Sequence, residues 1–248
     1  MLHLTQMISF ELSQDCNLSR LHEGKCPINC IDRTGKPLTD EKIIELALEA
    51  YNELGFEGYI MWSIYNEPML HCARMFDLMY KIKSLIPKSR FLLWTNGTIL
   101  IKDPALNMFE TIIVTNYLNK TYEELAYSFG PKVLWKNNPV LDGRLVYRGE
   151  KNFKRCTLPF DNFLISNTGN ILLCCIDWKN EIKIGNVFES SLRELDEKRW
   201  EKTLNIIGSE MKECAPDTCL HCTFKWELSS FDPIIAGKAL EEIKKHVG

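Results

Sequence analysis

The chain has 248 residues, 45% of them apolar, with a net charge of −3 and a pI near 6.0. This length and apolar content exclude a disordered tail and fit one large α/β domain, or a domain with a small appendage. The absence of a basic block argues against a nucleic-acid partner, and the absence of a signal-like amino terminus or an apolar run of about 18 residues predicts a cytoplasmic protein with no membrane partner.

The ten cysteines are the most informative part of the composition. A cytosolic compartment keeps thiols reduced, so this number favours metal binding over disulfide bonds. Most of the cysteines fall into two groups, one between residues 16 and 30 and one in the second half of the chain. The sequence therefore predicts two sulfur-ligated sites.

The first group follows a predicted strand. Apolar and polar residues alternate in residues 7–12, and Cys16, Cys26 and Cys30 come next, on the loop at the carboxyl end, where α/β proteins place their chemistry. Three thiolates can hold three irons of a cubane and leave the fourth iron open, whereas a closed structural site needs four ligands. A zinc loop or buried thiols are the alternative, and His22 is either a fourth ligand or an ordinary polar loop residue.

Helical and strand-like patterns then alternate as far as residue 136. Residues 36–40 supply a turn and a helix cap. Helical spacing is found in residues 43–54, 73–86 and 122–129, and strand-like runs in residues 58–64, 90–94, 111–115 and 133–135. This alternation implies right-handed crossovers and a parallel sheet. A full eight-unit barrel needs about 250 residues, so we predict a partial (β/α)6 TIM-like barrel in residues 1–145.

The pattern changes after residue 136, where turn signals replace the alternation. Residues 163–165 and 171–173 are typical of a β-hairpin that presents Cys174 at its far end. Helical patterns cover residues 191–206 and 232–246. We therefore predict a small Cys-rich α+β domain in residues 146–232, followed by a carboxy-terminal helix in residues 233–248.

The second group of cysteines contains a two-spaced pair, which is common to zinc ribbons and iron–sulfur sites, so the spacing does not decide the metal. With the hairpin thiol and one upstream thiol, four ligands give a closed site: Cys156, Cys174, Cys219 and Cys222. Cys175 is expected on the opposite side of the strand from Cys174, because successive side chains alternate. Cys72 is more typical of a core residue than of a ligand.

The second half of the sequence resembles that of radical S-adenosylmethionine (SAM) enzymes with a carboxy-terminal twitch domain, which is the shortened form of the SPASM domain. The motifs stand in family order: C-x-x-P-F at 156–160, G-N-x-x-x-C-C-x-D-W at 169–178, I-G-N-V at 184–187 and C-x-x-C at 219–222. The resemblance implies that the four cysteines of the closed site hold an auxiliary [4Fe–4S] cluster.

The first half is similar to the same family but departs from its C-x3-C-x2-C spacing, since here the thiols are nine and three residues apart. The resemblance implies a SAM-binding [4Fe–4S] cluster on Cys16, Cys26 and Cys30, with Cys26-Pro27 an alternative match to the third family cysteine. Two strand ends resemble the family's G-G-E-P and T-N-G segments. The SAM-binding residues implied by them are Tyr65, Asn66, Glu67, Pro68, Thr95 and Asn96.

The family implies cleavage of SAM to a 5′-deoxyadenosyl radical that takes a hydrogen atom from the substrate. Similar small dehydrogenases oxidise an aminocyclitol alcohol to a ketone, with the auxiliary cluster as electron acceptor, and Arg148 resembles their substrate-contacting arginine. The implied partners are a sugar-like or aminocyclitol-like small molecule, or a short peptide, and an electron donor such as flavodoxin or ferredoxin. Phe10 and Tyr65 are expected to shield the radical, or to pack in the core.

Two other functions remain open. A radical SAM epimerase would need a hydrogen donor close to the substrate, such as Cys72, Cys175 or Cys214, and a peptide- or natural-product-crosslinking enzyme is the other alternative within the family. A zinc-bearing interaction module is the third, non-enzymatic interpretation, and it leaves the barrel half of the chain without an explanation.

Overall fold

The structure is a computed structural model that describes residues 1–22, 26–29, 34–130, 132–137, 158–208, 217–222 and 233–247. Its strands are β1 (Met7–Phe10), β2 (Tyr59–Met61), β3 (Arg90–Thr95), β4 (Phe109–Asn116), β5 (Val133–Asn137), β6 (Asn162–Ile165) and β7 (Ile171–Leu172). Its α-helices are α1 (Asp40–Leu48), α2 (Cys72–Leu85), α3 (Tyr122–Phe129), α4 (Leu158–Asp161), α5 (Leu192–Gly208), α6 (Asp217–Leu220) and α7 (Pro233–Val247).

The strands form one sheet in the order β5-β4-β3-β2-β1-β6-β7. Every neighbouring pair is parallel except β6 and β7, which are antiparallel. Strand β1 lies in the interior of the sheet, and Met7 pairs with Tyr59 on one side and with Asn162 on the other. The predicted α/β architecture, with six parallel strands, is confirmed, and the loop after β1 leaves from an interior strand.

The hairpin of β6 and β7 occupies a different place from the one predicted. The sequence assigned it to a separate small domain, but β6 pairs along its whole length with β1. All four residues of β6 are buried, as expected for a strand with neighbours on both edges and packing on both faces. The hairpin therefore extends the sheet of the first half. The predicted boundary at residues 145 and 146 lies outside the described residues.

Helix α1 shows how the local sequence sets the helix ends. The Thr39 hydroxyl accepts a hydrogen bond of 3.2 Å from the Lys42 amide, which confirms the predicted cap. The helix continues into a π-helical turn, Glu49–Glu53, and the chain then leaves through Gly55 with a φ of +67°. Only glycine adopts this backbone conformation without strain, so the helical pattern ends there.

The two faces of β1 separate two apolar regions. Ile8 and Phe10 belong to the large core that contains residues of α1 and α2, whereas Met7 faces the opposite side with Tyr59 and Met61. The Phe10 ring packs against Trp62, with centroids 6.1 Å apart. Of the two expectations for Phe10, core packing is correct, because its side chain lies on the helix-covered face of the strand.

One buried cation joins the elements around β6. The Arg199 side chain of α5 is fully buried and donates to the Thr5 hydroxyl and the Asp196 carboxylate, each at 2.7 Å, and to the Asn162 carbonyl at 3.3 Å. The pairing compensates the cost of burying the guanidinium and fixes α5 against the start of β1 and β6. In the part of the chain that the structure describes, no helix is long and apolar enough to cross a membrane.

Candidate iron–sulfur and SAM site

Cys16 lies on the loop that leaves β1 and is half-buried. Burial raises the pKa of its thiol to about 11, opposed by a hydrogen bond from the Leu18 backbone. The nearby Cys26 and Glu67 raise this pKa further, and the Asn96 side chain lowers it through a hydrogen bond. The structure therefore brings two predicted ligands, Cys16 and Cys26, to the rim of the sheet beside two predicted SAM-binding residues.

Glu67 is the centre of the hydrogen-bond network on this rim. Its carboxylate is almost fully buried and accepts hydrogen bonds from the Thr95 hydroxyl at 2.6 Å, from the Asn96 amide at 2.7 Å and from the Met69 amide at 3.0 Å. Burial raises the pKa of Glu67, and these three donors lower it. The carboxylate thus ties the segment after β2 to the end of β3, and its contact with SAM stays a prediction.

The residues around Glu67 shape the same segment. The Asn66 side chain turns back on its own loop: its Oδ1 accepts from the Ile64 amide and its Nδ2 donates to the Trp62 carbonyl, both at 3.2 Å. Pro68 begins a 3-10 helix, Pro68–His71, in the first position, where its missing N–H costs nothing. The Y-N-E-P segment is thus a rigid turn at the carboxyl edge of the sheet.

A polar bridge that sequence reasoning missed connects this turn to the thiol loop. The Asn96 Nδ2 donates to the Asn17 Oδ1 at 2.9 Å, and the Asn17 Nδ2 donates to the Thr98 hydroxyl at 2.7 Å. The Thr98 hydroxyl in turn donates to the Asn96 Oδ1 at 2.6 Å. Asn17 directly follows Cys16, so the bridge fixes the position of that thiol. The only signal in the sequence is the adjacency of Asn17 to a cysteine.

His22 is buried and packs edge-on against Tyr117, with ring centroids 5.0 Å apart at an angle of 79°. This contact holds the ring beside the residue that follows β4. The contact explains why the imidazole is buried, and a role as a fourth ligand of the first cluster stays a hypothesis.

The G-N and I-G-N-V motifs are joined by hydrogen bonds in the second half of the chain. The Asn186 Nδ2 donates to the Thr168 carbonyl at 3.0 Å and to the Asn170 Oδ1 at 3.1 Å. Gly169 has a φ of +79°, and a Cβ there would lie 2.8 Å from the Asn186 Oδ1, so both conformation and space require glycine. These motifs therefore fix the β6–β7 turn, and the hairpin carries Cys174 just beyond its second strand.

Cys174 is buried among thiols. Burial raises its pKa well above the usual range, and the neighbouring Cys175 and Cys219 raise it further. Cys174 also packs in a small apolar cluster with Leu158 and Ile176, against which Cys175 and Cys222 lie. Three of the four predicted ligands of the closed site, Cys174, Cys219 and Cys222, are thus brought together. The fourth, Cys156, lies outside the described residues.

The expectation for Cys175 is wrong. Alternation along a strand was expected to separate its side chain from Cys174, but β7 ends at Leu172, and Cys174 and Cys175 lie in the bend and turn that follow. Successive side chains alternate only within a strand. Both residues therefore pack against the same small cluster.

A second polar chain holds residues 173–182, which we call the auxiliary loop, to the C-x-x-C segment at residues 219–222. The Asp177 amide donates to the Cys174 carbonyl at 3.1 Å, and its carboxylate accepts from the Glu181 amide at 2.8 Å. Burial raises the pKa of Asp177 to about 6, and hydrogen bonds from backbone amides, including that of Glu181, lower it. The Thr218 hydroxyl donates to the Glu181 carboxylate. Because Thr218 precedes Cys219, the chain orients both parts of the thiol set.

The thiols present fit iron–sulfur clusters in donor chemistry, with two of three predicted ligands at the rim and three of four in the buried set. Within the described ranges, no group of three Cys, His, Asp or Glu side chains is arranged as a metal site. One predicted ligand of each set, Cys30 and Cys156, lies outside those ranges, as does Arg148.

Three comparisons place this geometry among known proteins. Residues 156–223 match the SPASM family, described as an iron–sulfur cluster-binding domain. The chain is 24% identical over 236 residues to the S-adenosyl-L-methionine-dependent 2-deoxy-scyllo-inosamine dehydrogenase of Niallia circulans, covering 88% of this chain and 93% of that one.

Two crystal structures of BtrN have the same fold. BtrN in complex with AdoMet and 2-DOIA matches with a TM-score of 0.67 and 21% identity over 92% of this chain and 98% of that chain. An open conformation of BtrN matches with a TM-score of 0.63 and 21% identity, over 89% and 92% of the two chains. The chain thus has the fold of BtrN and carries, in residues 156–223, the SPASM iron–sulfur cluster-binding domain that the resemblance to radical SAM enzymes implies.

Proposed function

We propose that the chain is a radical SAM dehydrogenase that oxidises a secondary alcohol of an aminocyclitol-like small molecule to a ketone. The observation that carries the proposal is the presence of two separate thiol sets, one at the sheet rim beside the Glu67 network and one buried in the SPASM domain. The similarity to a 2-deoxy-scyllo-inosamine dehydrogenase over 93% of its length supports the substrate class.

When bound, the first cluster with SAM would supply radical abstraction of the carbinol hydrogen atom, with a reduced flavodoxin or ferredoxin as the electron donor, and the second cluster would supply an acceptor for the second electron, the hydroxyl proton being lost to a base. The protein holds the clusters, SAM and the substrate in position. Cys16, Cys26 and Cys30 are the proposed ligands of the first cluster, and Cys156, Cys174, Cys219 and Cys222 those of the second. The Glu67 network holds the rim that faces SAM.

The residues on the face of the sheet that carries Met7 favour a small-molecule substrate. Below the rim this face carries a buried apolar cluster of Met7, Tyr59, Met61, Leu92 and Ile113. At the rim, the half-buried Trp94 donates from Nε1 to the Thr115 hydroxyl at 2.8 Å, and the Ser63 hydroxyl donates to the Trp94 carbonyl at 3.3 Å. An apolar wall with a few fixed polar groups is typical of small-molecule sites. We propose Arg148 as a further substrate contact.

The test is anaerobic reconstitution followed by assays for 5′-deoxyadenosine and for the ketone, with 2-deoxy-scyllo-inosamine as the probe. We expect about eight irons per chain, because two cubanes form. Cys16→Ala should abolish 5′-deoxyadenosine formation, whereas the matched control Cys72→Ala, a half-buried thiol outside both sets, should retain it. About two zinc ions without iron, or no cleavage of SAM by the iron-loaded wild type, would contradict the proposal.

A further inference from the structure

An apolar cluster lies between the two thiol sets. We call it the bridging cluster and define it by Ile64, Tyr65, Leu164, Leu172 and Trp178, with Ile28 and Cys175 packed against it. Its members come from four parts of the chain: the turn after β2, the β6–β7 hairpin, the auxiliary loop and the 3-10 helix Pro27–Asn29. The loop that carries the rim thiols and the loop that carries Cys174 thus meet across one set of side chains.

Tyr65 makes the polar contact across this cluster. Its side chain is only 6% exposed, and its hydroxyl donates a hydrogen bond of 3.0 Å to the backbone carbonyl of Cys175. Tyr65 directly precedes the Asn66-Glu67 turn, so its backbone is held by the rim network. The hydrogen bond therefore joins the rigid rim to the auxiliary loop at the residue next to Cys174.

Cys175 contacts two apolar clusters. Among the described residues, it packs against the bridging cluster on one side and against the small cluster of Leu158, Cys174 and Ile176 on the other. Cys222 packs against that same small cluster. Apolar contact is thus continuous from Ile28 on the first thiol loop, through Tyr65 and Cys175, to the buried thiol set.

We propose that Tyr65 is a positioning residue that fixes the auxiliary thiol loop to the barrel rim, and so sets the relation between the substrate position and the second cluster. The inference rests on the proposed function, to which it adds a specific residue. The Tyr65 side chain reaches from the turn after β2 to the backbone carbonyl of Cys175. Its hydroxyl orients the loop, and its ring excludes water from the space between the sites.

The test variant is Tyr65→Phe, which keeps the ring and removes the hydroxyl. The matched control is Tyr80→Phe, because Tyr80 is 53% exposed on α2 and lies outside both thiol sets. In the iron-loaded enzyme under nitrogen, hydrogen–deuterium exchange is followed at the amides of residues 173–178. Loss of one hydrogen bond predicts exchange about two- to tenfold faster in Tyr65→Phe and unchanged in Tyr80→Phe.

A second readout separates positioning from general stability. With 2-deoxy-scyllo-inosamine as the probe, we expect Tyr65→Phe to yield several-fold less ketone per 5′-deoxyadenosine formed than the wild type does. Unchanged exchange at residues 173–178 together with an unchanged ketone ratio would overturn the inference. Failure of the wild type itself to cleave SAM would instead overturn the proposed function, and the exchange measurement alone would then decide the role of Tyr65.

Discussion

The backbone carbonyl of Asn167 accepts a hydrogen bond of 2.7 Å from the amide of Leu38. The amide of Asn167 donates to the Glu11 carboxylate, and its side-chain oxygen accepts from the Gln14 Nε2, both at 3.2 Å. Glu11 and Gln14 precede Cys16, Cys26 and Cys30 in sequence, and Leu38 follows them. One residue in the β6–β7 turn thus holds both ends of the loop that carries the first thiol set.

This clamp predicts that Asn167→Ala weakens SAM binding without removing the second cluster. The substitution deletes the contact with Gln14 and leaves the two backbone contacts, so we expect the Kd for SAM to rise about two- to tenfold. Gln14→Ala should give the same change, and the double variant no more than either alone. Asn107→Ala, an exposed asparagine before β4, is the control. Additive effects of the two substitutions would contradict the clamp.

The buried carboxylate of Glu67 predicts a loss of stability in Glu67→Gln. The substitution places an amide where the Asn96 amide needs an acceptor, and an unsatisfied buried donor costs about 1–3 kcal/mol. For a chain of this size, the Tm of the iron-loaded enzyme should fall by roughly 2 to 10 °C. Glu57→Gln, on an exposed loop, should leave it unchanged. Equal Tm values for the two variants would show that the network contributes no stability.

The adjacent cysteines of the auxiliary loop predict opposite results. Cys174→Ser should reduce the iron content from about eight to about four per chain, because one cluster loses a ligand. Cys175→Ser should keep about eight, because its thiol is not among the proposed ligands. Iron analysis after anaerobic reconstitution decides between them. If Cys175→Ser loses iron and Cys174→Ser does not, the ligand assignment must be exchanged.

Gly58 predicts a severe folding defect on substitution by alanine. A Cβ at this position would lie 2.2 Å from the carbonyl oxygen of Gln6, so the backbones at the starts of β1 and β2 would have to separate. Among the described residues outside its own helix, a Cβ on Gly237 of α7 would meet no atom within 4 Å, so Gly237→Ala should stabilise the chain by about 1 kcal/mol. Soluble yield and Tm measure both effects. A well-folded Gly58→Ala variant would contradict the close approach.

The sequence predicted local features better than long-range ones. A helix cap was expected within residues 36–40 from the local sequence alone, and the structure confirms it at Thr39. The place of β6 was not predicted, because a short apolar strand carries no information about which partner it pairs with. Only the register of Met7 with Asn162 shows that the hairpin joins the first-half sheet.

In the candidate site, too, the sequence predicted residue types better than long-range contacts. The types of residue at the rim, such as Cys16 and Glu67, were predicted from motifs that end successive strands. The contacts of Tyr65 and Asn167 were not, because each joins segments more than 100 residues apart through a backbone group of the partner. A backbone carbonyl looks the same in every sequence, so no residue pattern marks such a contact.

The interior place of β1 has a consequence for biosynthesis. β1 is translated before its second neighbour, β6, which begins only at Asn162. At ribosomal speeds that interval is about 8 to 30 s, during which one edge of β1 has no partner and is open to pairing with other chains. Until residues 162–165 have emerged and paired with it, that edge of β1 is therefore exposed to contacts with other polypeptides.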